Sequence, residues 1–142
     1  MARRPDPYRN FNFRITFGGR VVAGFRTVEI GTSVAEVVEV REGSEPRTVR
    51  KVPGLHKTGD VTLKRGVIDA KALFGWWRAV VGGEPGLRKD VEIAQRGGGT
   101  KALRFVVRGA WVTKWALGEL DATGNDVAIE TLELANDGIE PG

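Results

Sequence analysis

The segment at residues 11–17, FNFRITF, alternates apolar and polar side chains without interruption. A period of two is that of a β-strand with one buried face, whereas a helix would spread the same apolar side chains around its axis. Gly18 and Gly19 come next, and two glycines supply the positive φ angles of a tight hairpin turn. The pattern therefore predicts a hairpin whose second strand covers residues 21–30.

The rest of the chain continues as strand-like segments separated by turn residues. Glycine accounts for 20 of 142 residues, which fits short strands joined by turns. Further strands are predicted at residues 35–41, 61–65, 91–96, 101–117 and 127–134, the last one closing the domain. Gly109 marks a bulge or bend in the long 101–117 segment. We expect one mainly β domain over residues 1–142, a sandwich or barrel with one helix and a long loop.

One α-helix is predicted at residues 69–81. Asp69 suits the N-cap position, where its carboxylate accepts from free amides of the first turn. Gly82 and Gly83 follow the last apolar residue and end the helix. The large apolar side chains lie in one broad arc, which predicts a helix lying over a sheet. They are Leu73, Phe74, Trp76, Trp77, Val80 and Val81.

Residues 42–59 interrupt the strand pattern. The segment 42–46 breaks the third strand, residues 47–52 are short and basic, and Pro53 with Gly54 predicts another turn. Excursions of this length inside a compact domain are usually functional or interaction elements.

The residue types needed for most catalytic and metal sites are scarce. The chain has no cysteine and one histidine, His56, and its two serines lie far from that histidine in sequence. A disulfide scaffold and a thiolate or multi-histidine zinc site are excluded, and a serine triad is improbable. We therefore predict no catalytic residue, no metal and no cofactor. We also expect no membrane anchor and no secretory signal, since no long apolar run exists.

Two turn-like segments and the tryptophans have ordinary structural interpretations. The glycines at residues 97–99 join two strands, so a hairpin turn is favoured over a phosphate-binding loop. Residues 121–126 lack EF-hand spacing and predict an Asx-rich turn. The four tryptophans are spaced so that each lies on the same face of its helix or strand as other apolar residues, which favours core packing over a base-stacking platform. They are Trp76, Trp77, Trp111 and Trp115.

Charge is distributed unevenly along the chain. Residues 1–65 contain 13 basic and 7 acidic residues, whereas beyond Lys114 there are seven acidic residues and no basic one. Solvated faces, self-association between opposite charges and nucleic-acid binding all remain open. The basic residues are scattered singly rather than gathered with exposed aromatics, as a nucleic-acid reader would have them.

Several segments, in order, resemble phage-type contractile tail tube proteins. They are residues 6–11 (DPYRNF), 22–25 (VAGF), 39–43 (EVREG), 49–55 (VRKVPGL), 59–67 (GDVTLKRGV) and 124–135 (GNDVAIETLELA). The agreement covers nearly the whole chain, from about residue 5 to residue 140, and is weakest at residues 87–100. The tube protein of type VI secretion shares this family's fold.

The resemblance implies an inner-tube subunit of a phage tail, a phage-like bacteriocin or an extracellular injection system. Such subunits form hexameric rings whose strands join one barrel around a lumen, and the rings stack into a tube. The implied partners are further copies of the chain, the sheath protein, baseplate or spike and tail-cap proteins, and lumen cargo. The implied location is the bacterial cytoplasm during assembly, then the released particle. A stand-alone basic β-barrel that binds nucleic acid is the alternative.

From this resemblance we predict that the 42–59 excursion packs on a neighbouring subunit. We further predict that the acidic end of the chain meets basic surfaces of another copy, which would favour head-to-tail contact. The interface residues expected on these grounds are Arg41, Glu42, Arg47, Arg50, Lys51, Pro53, Leu55, His56, Lys57, Glu133, Asp137 and Glu140.

Overall fold

The computed structural model describes Tyr8, residues 10–41, Gly43, and residues 47–97, 102–119 and 126–142. Its elements in chain order are β1 (Phe13–Phe17), β2 (Arg20–Ile30), β3 (Val34–Val40), β4 (Arg50–Lys57), β5 (Val61–Asp69), α1 (Ala70–Gly82), β6 (Lys89–Gln95), β7 (Arg104–Leu117), β8 (Asp126–Ala135) and β9 (Gly138–Pro141). Most of the Asx-rich turn predicted at residues 121–126 and most of the glycine turn at residues 97–99 lie outside the described residues.

Six of the strands close into an antiparallel barrel. The hydrogen-bonded order is β6-β1-β2-β5-β8-β7, and β6 also pairs with β7, which completes the ring of strands. β9 adds to β7 beyond the end of β8, so the prediction that residues 127–134 form the last strand is wrong. Closure leaves these six strands without an open edge and confirms the mainly β barrel with one helix.

The barrel interior is a dense apolar core. Alternate residues of each strand point inward, and the largest fully buried side chains on the strands include Phe25, Ile15, Leu63, Ile93 and Ile129. Each such side chain contributes about 1.5–3 kcal/mol relative to remaining in water. The alternation predicted at residues 11–17 is confirmed over residues 13–17, since Ile15 is buried and Phe13 and Phe17 pack against the core, whereas Phe11 lies before β1 and packs at Gly24.

Gly109 interrupts the alternation of β7. Its φ is +59°, and β7 has one more residue than β6 between the pairs Val107–Val91 and Ala110–Lys89. Such a bulge moves the following side chains to the other face of the strand. The predicted bulge is thus confirmed, but the expected core position of Trp111 is wrong, because Ala110 and Val112 point inward in its place.

The helix α1 covers one end of the barrel. Asp69 caps it as predicted, accepting the amide of Lys71 at 3.1 Å, and Gly83 ends it with φ +62°. Leu73 and Trp76 are fully buried in the barrel core. The Trp76 ring lies 5.1 Å from that of Phe17, the last residue of β1, and its indole N–H donates to the carbonyl of Leu87 at 2.6 Å.

Two described residues before β1, Tyr8 and Phe11, pack against other parts of the chain. The Phe11 ring contacts the backbone at Gly24, where an added Cβ would come within 2.8 Å of the ring. Tyr8 is buried, and its hydroxyl donates to the carboxylate of Asp126 at 2.6 Å. Burial and this hydrogen bond raise the pKa of Tyr8, so the hydroxyl keeps its proton.

Candidate functional site

The strands β3 and β4 form a two-stranded ribbon that is separate from the barrel. They pair with each other and not with the seven-stranded sheet. The strand predicted at residues 35–41 is confirmed as β3, whereas β4 occupies part of the loop predicted at residues 42–59, and the turn predicted at Pro53 and Gly54 is wrong, because both residues lie inside β4. Proline is tolerated there because β4 is an edge strand and has no barrel neighbour that requires its amide.

The ribbon is uncovered over most of its surface. All seven residues of β3 are exposed, and Val37 and Leu55 retain 64% and 76% of their accessible surface. An isolated two-stranded ribbon is marginally stable in water, and a protein rarely presents contiguous apolar surface without a partner. The ribbon is therefore the first candidate for an interaction site.

Apolar side chains dominate one face of the ribbon. The register pairs Val38 with Val52, Val40 with Arg50 and Val34 with Lys57. Because side chains two residues apart share a face, Val34, Val38, Val40 and Val52 lie together, with Glu36 between Val34 and Val38. We call the four valines the valine face; the same face carries Arg50 near the tip, Glu36 in the middle and Lys57 near the barrel.

The ribbon joins the barrel at a close backbone crossing. The amide of Gly31 donates to the carbonyl of Asp60 at 2.8 Å, and the Asn136 side-chain amide donates to the carbonyl of Gly59 at 3.0 Å. A Cβ added to Gly59 would overlap the carbonyl carbon of Gly31. Only glycine fits at Gly59 without movement of the backbone, so this crossing fixes how the ribbon leaves the barrel.

The second uncovered apolar surface lies on α1. Phe74 and Val81 are 41% and 69% exposed, although the sequence predicted that both cover the sheet. The apolar arc splits because it is broader than the buried stripe: Leu73 and Trp76 face the core, while Trp77 and Phe74 lie edge-on to Trp115. A surface notch is lined by Phe74, Trp77, Arg78, Val81, Gly82 and Glu84. We call it the helix notch.

The two uncovered surfaces lie at opposite ends of the barrel. The ribbon ends where β5 begins, at Val61, and the helix begins where β5 ends, at Asp69. Val61 and Asp69 are the two ends of this 9-residue strand, which at 3.3 Å per step lie about 26 Å apart. The interface residues predicted from the sequence therefore include the ribbon but not the helix notch. The notch was missed because Phe74, Trp77 and Val81 were expected to cover the sheet.

Two of the predicted acidic interface residues, Asp137 and Glu140, form ion pairs on the surface of their own barrel. Asp137 contacts Arg88 at 3.1 Å, and Glu140 contacts Arg108 at 3.1 Å. Arg108 also contacts Asp90, 3.1 Å away, and the Gly109 amide and this guanidinium lower the pKa of the Asp90 carboxyl. These residues therefore form a surface ion-pair network around the β7 bulge.

Apart from Glu133 and Glu42, the remaining predicted interface residues lie on or beside the ribbon. Lys51, Pro53 and His56 are exposed on β4, and Arg41 and Arg47 are exposed beyond the paired strands. Glu133 is half-buried on β8, and Glu42 lies outside the described residues. Within the described part of the chain, no three histidine or carboxylate side chains gather into a metal-binding group. No described helix combines the length and apolar character that a bilayer crossing requires.

Solved structures show the same fold over almost the whole chain. A chain in the cryo-EM structure of the anti-feeding prophage tube-terminating cap is 25% identical, with a TM-score of 0.65 over 100% of this chain and 95% of that one. A chain of the PVC sheath/tube terminator in the extended state is also 25% identical, with a TM-score of 0.65 and coverages of 100% and 99%.

A chain of the PVC sheath–tube complex, an extracellular contractile injection system, is 24% identical, with a TM-score of 0.64 over 96% of this chain and 91% of that one. Among curated proteins, none matches the chain. The family profile described as T4-like virus tail tube protein gp19 matches residues 9–140. A profile match over nearly every residue, on a barrel that carries an uncovered ribbon, shows that the chain belongs to this tail tube family.

Proposed function

We propose that the protein is the inner-tube subunit of a contractile injection system or phage-like tail, and that it forms hexameric rings stacked head to tail. The observation that carries the proposal is the uncovered ribbon, an element that the monomer does not stabilise by packing. A ribbon held against another copy gains the contacts that it lacks in the single chain. The family is one of structural tail tube proteins, and the proposed role requires no catalytic group.

Open strand edges support lateral assembly into a ring. In the described structure, β3, β4 and β9 each have one hydrogen-bonded neighbour, whereas each of the six barrel strands has at least two. An open edge accepts a strand from another chain through main-chain hydrogen bonds. The ring is built through these edges, so that strands of neighbouring copies continue one sheet around a lumen.

The partners in this proposal follow from the structures that the chain resembles. Those structures are of a sheath–tube complex, a baseplate and tube caps of contractile injection particles. The tube subunit would contact a sheath protein outside, a baseplate or spike at one tube end and a cap at the other. Sheath contraction drives the tube with its cargo out of the particle, which is assembled in the bacterial cytoplasm.

Nucleic-acid binding by a monomer is the competing function, prompted by the sequence pI of about 9.8. Several basic side chains that would serve it are already in ion pairs, including Arg20, Lys64, Arg88 and Arg108. Analytical ultracentrifugation separates the two functions. We expect rings that grow into longer assemblies with concentration; a 15.4 kDa monomer at all concentrations, with salt-sensitive affinity for DNA, would favour the alternative.

A further inference from the structure

Two arginines lie on either side of an alanine on the outer wall of the barrel. The register pairs Arg14 of β1 with Ala94 of β6, and Ala94 with Arg104 of β7. Residues that pair across neighbouring strands share a face, and Ile15, the next residue on β1, points into the core. Arg14 and Arg104 therefore point outward with only a methyl group between them.

These three residues form part of a surface cleft of about 300 Å³. Arg96 lines the same cleft just beyond the end of β6. On the other side of Arg14, the Phe11 ring occupies the space above Gly24, the β2 residue that pairs with Arg14. Phe11 therefore closes that side, and the half-buried Arg14 side chain lines the cleft. We call the space between Arg14, Arg96 and Arg104 the arginine cleft.

Two of these arginines have contacts that leave N–H donors for a ligand. Arg96 donates one N–H to the carbonyl of Asn10 at 3.2 Å. Arg104 contacts Glu92 at 3.8 Å, a long distance for an ion pair, and both side chains are about half exposed. A guanidinium has five N–H donors, so neither contact occupies the group.

The charges around the arginine cleft give an excess of positive charge. In the described part of the chain, two carboxylates lie beside it: that of Glu92, and the one that ends this chain at Gly142, whose amide bonds to the start of β7. Asp90 and Glu140, further along the same wall, contact Arg108 at 3.1 Å. Three guanidiniums against two carboxylates favour an anionic ligand.

The lining favours a phosphate group among anions. A carboxylate has two oxygens, and a single guanidinium can pair with both, whereas a phosphate group has enough oxygens to accept from guanidiniums on several sides. Between the arginines the cleft has small residues, Ala94, Gly97 and Ala102. Its lining contains no aromatic side chain on which a nucleobase could stack. The ligand is therefore recognised through its phosphate oxygens.

We infer that the arginine cleft binds a phosphate group, which is supplied either by free phosphate or by the backbone of a nucleic acid. The chemistry of recognition is the same for both sources. The inference goes beyond the proposed tube function and does not depend on it, because the cleft is formed by residues of a single chain.

Isothermal titration calorimetry of the purified full chain, at constant ionic strength, tests the ligand. The probes are inorganic phosphate, a thymidine oligonucleotide without terminal phosphates, and a hexaglutamate peptide. Saturable binding of inorganic phosphate would identify free phosphate as a source, and binding of the oligonucleotide alone would identify the nucleic-acid backbone. Binding of neither, or equal affinity for the glutamate peptide, would overturn the inference.

Three variants test the place of binding. Arg104→Gln removes an exposed guanidinium, and Ala94→Leu fills the space between the arginines without changing the charge. Both positions are on the outer face, so the barrel should stay folded. We expect each change to raise the dissociation constant about tenfold or more, since hydrogen bonds to charged groups are among the strongest.

The matched control is Arg78→Gln, which removes the same charge from an exposed position on α1 at the other end of the barrel. It should leave the affinity unchanged. Equal losses in Arg78→Gln and Arg104→Gln, or full affinity in Ala94→Leu, would show that the anion responds to the net charge of the chain and would overturn the assignment of the cleft.

Discussion

Excising the ribbon should separate folding from assembly. The amide of Gly31 bonds to the carbonyl of Asp60 at 2.8 Å, and Ile30 is paired with Val61 immediately before it. Replacing residues 32–59 by an Asn-Gly turn would therefore join β2 to β5 as an ordinary hairpin. The six barrel strands and their core remain, so the variant should unfold cooperatively, with a far-ultraviolet spectrum of a β protein.

The loss in assembly follows from the apolar surface that the ribbon presents. Val34, Val37, Val38, Val40 and Leu55 retain 42–76% of their accessible surface. Full burial of such a side chain is worth about 1.5–3 kcal/mol, so covering the exposed part contributes roughly 1 kcal/mol each. The five together give on the order of 5 kcal/mol per contact, or between three and four orders of magnitude in association constant.

Sedimentation velocity and electron microscopy at matched concentrations measure this loss. The full chain should form rings and tubes, and the excised variant should form no tubes even at a hundredfold higher concentration. A matched control keeps the ribbon and carries Gly75→Ala, a helix position where an added Cβ meets nothing within 4 Å. Tubes of ordinary length from the excised variant would refute the assignment of the ribbon as an assembly element.

Three further predictions concern stability and charge. Asp69→Ala removes the N-cap bond to Lys71 and should lower the free energy of unfolding by about 1 kcal/mol in chemical denaturation; an unchanged midpoint would contradict it. In the folded protein the pKa of the Asp90 carboxyl is below its ordinary value of 3.8. The stabilising contribution of this carboxylate is therefore complete above pH 3.8 and is lost as the pH falls through the lower pKa of the folded state. Asp90→Asn should therefore flatten the acid side of the stability profile, and a superimposable profile would exclude this role. High salt, and reversal of Glu133, Asp137 and Glu140 to lysine, should slow assembly measured by light scattering, because the Debye length falls from about 10 Å at 0.1 M to about 3 Å at 1 M; rates insensitive to both would remove electrostatics from the choice of polarity.

Local patterns were enough to predict the elements that local physics controls. The period of two at residues 11–17 predicts β1, and Asp69 followed by an apolar arc predicts the start of α1, since capping and amphipathic spacing act within a few residues. Gly109 was identified as a bulge because glycine within a strand marks such sites. Its effect on Trp111 was missed, because the parity of a strand beyond a bulge depends on the partner's register.

The elements that depend on distant partners were not predictable in this way. Closure of the barrel requires β6 to pair with both β1 and β7, which no local pattern encodes. Pro53 and Gly54 normally indicate a turn, yet Pro53 pairs with Val37 and Gly54 lies in a bulge of an edge strand, so β4 continues through both. Phe74 and Val81 share the arc of core residues, so only the fold distinguishes the helix notch from the buried stripe of α1.

The central claim is that the uncovered ribbon exists to join copies of this chain into a tube. Cryo-electron microscopy of the purified full chain at high concentration tests it most directly. We expect stacked rings with six-fold symmetry, in which the ribbon of each copy is buried against another copy. Isolated barrels, or rings whose ribbons remain exposed to solvent, would contradict it.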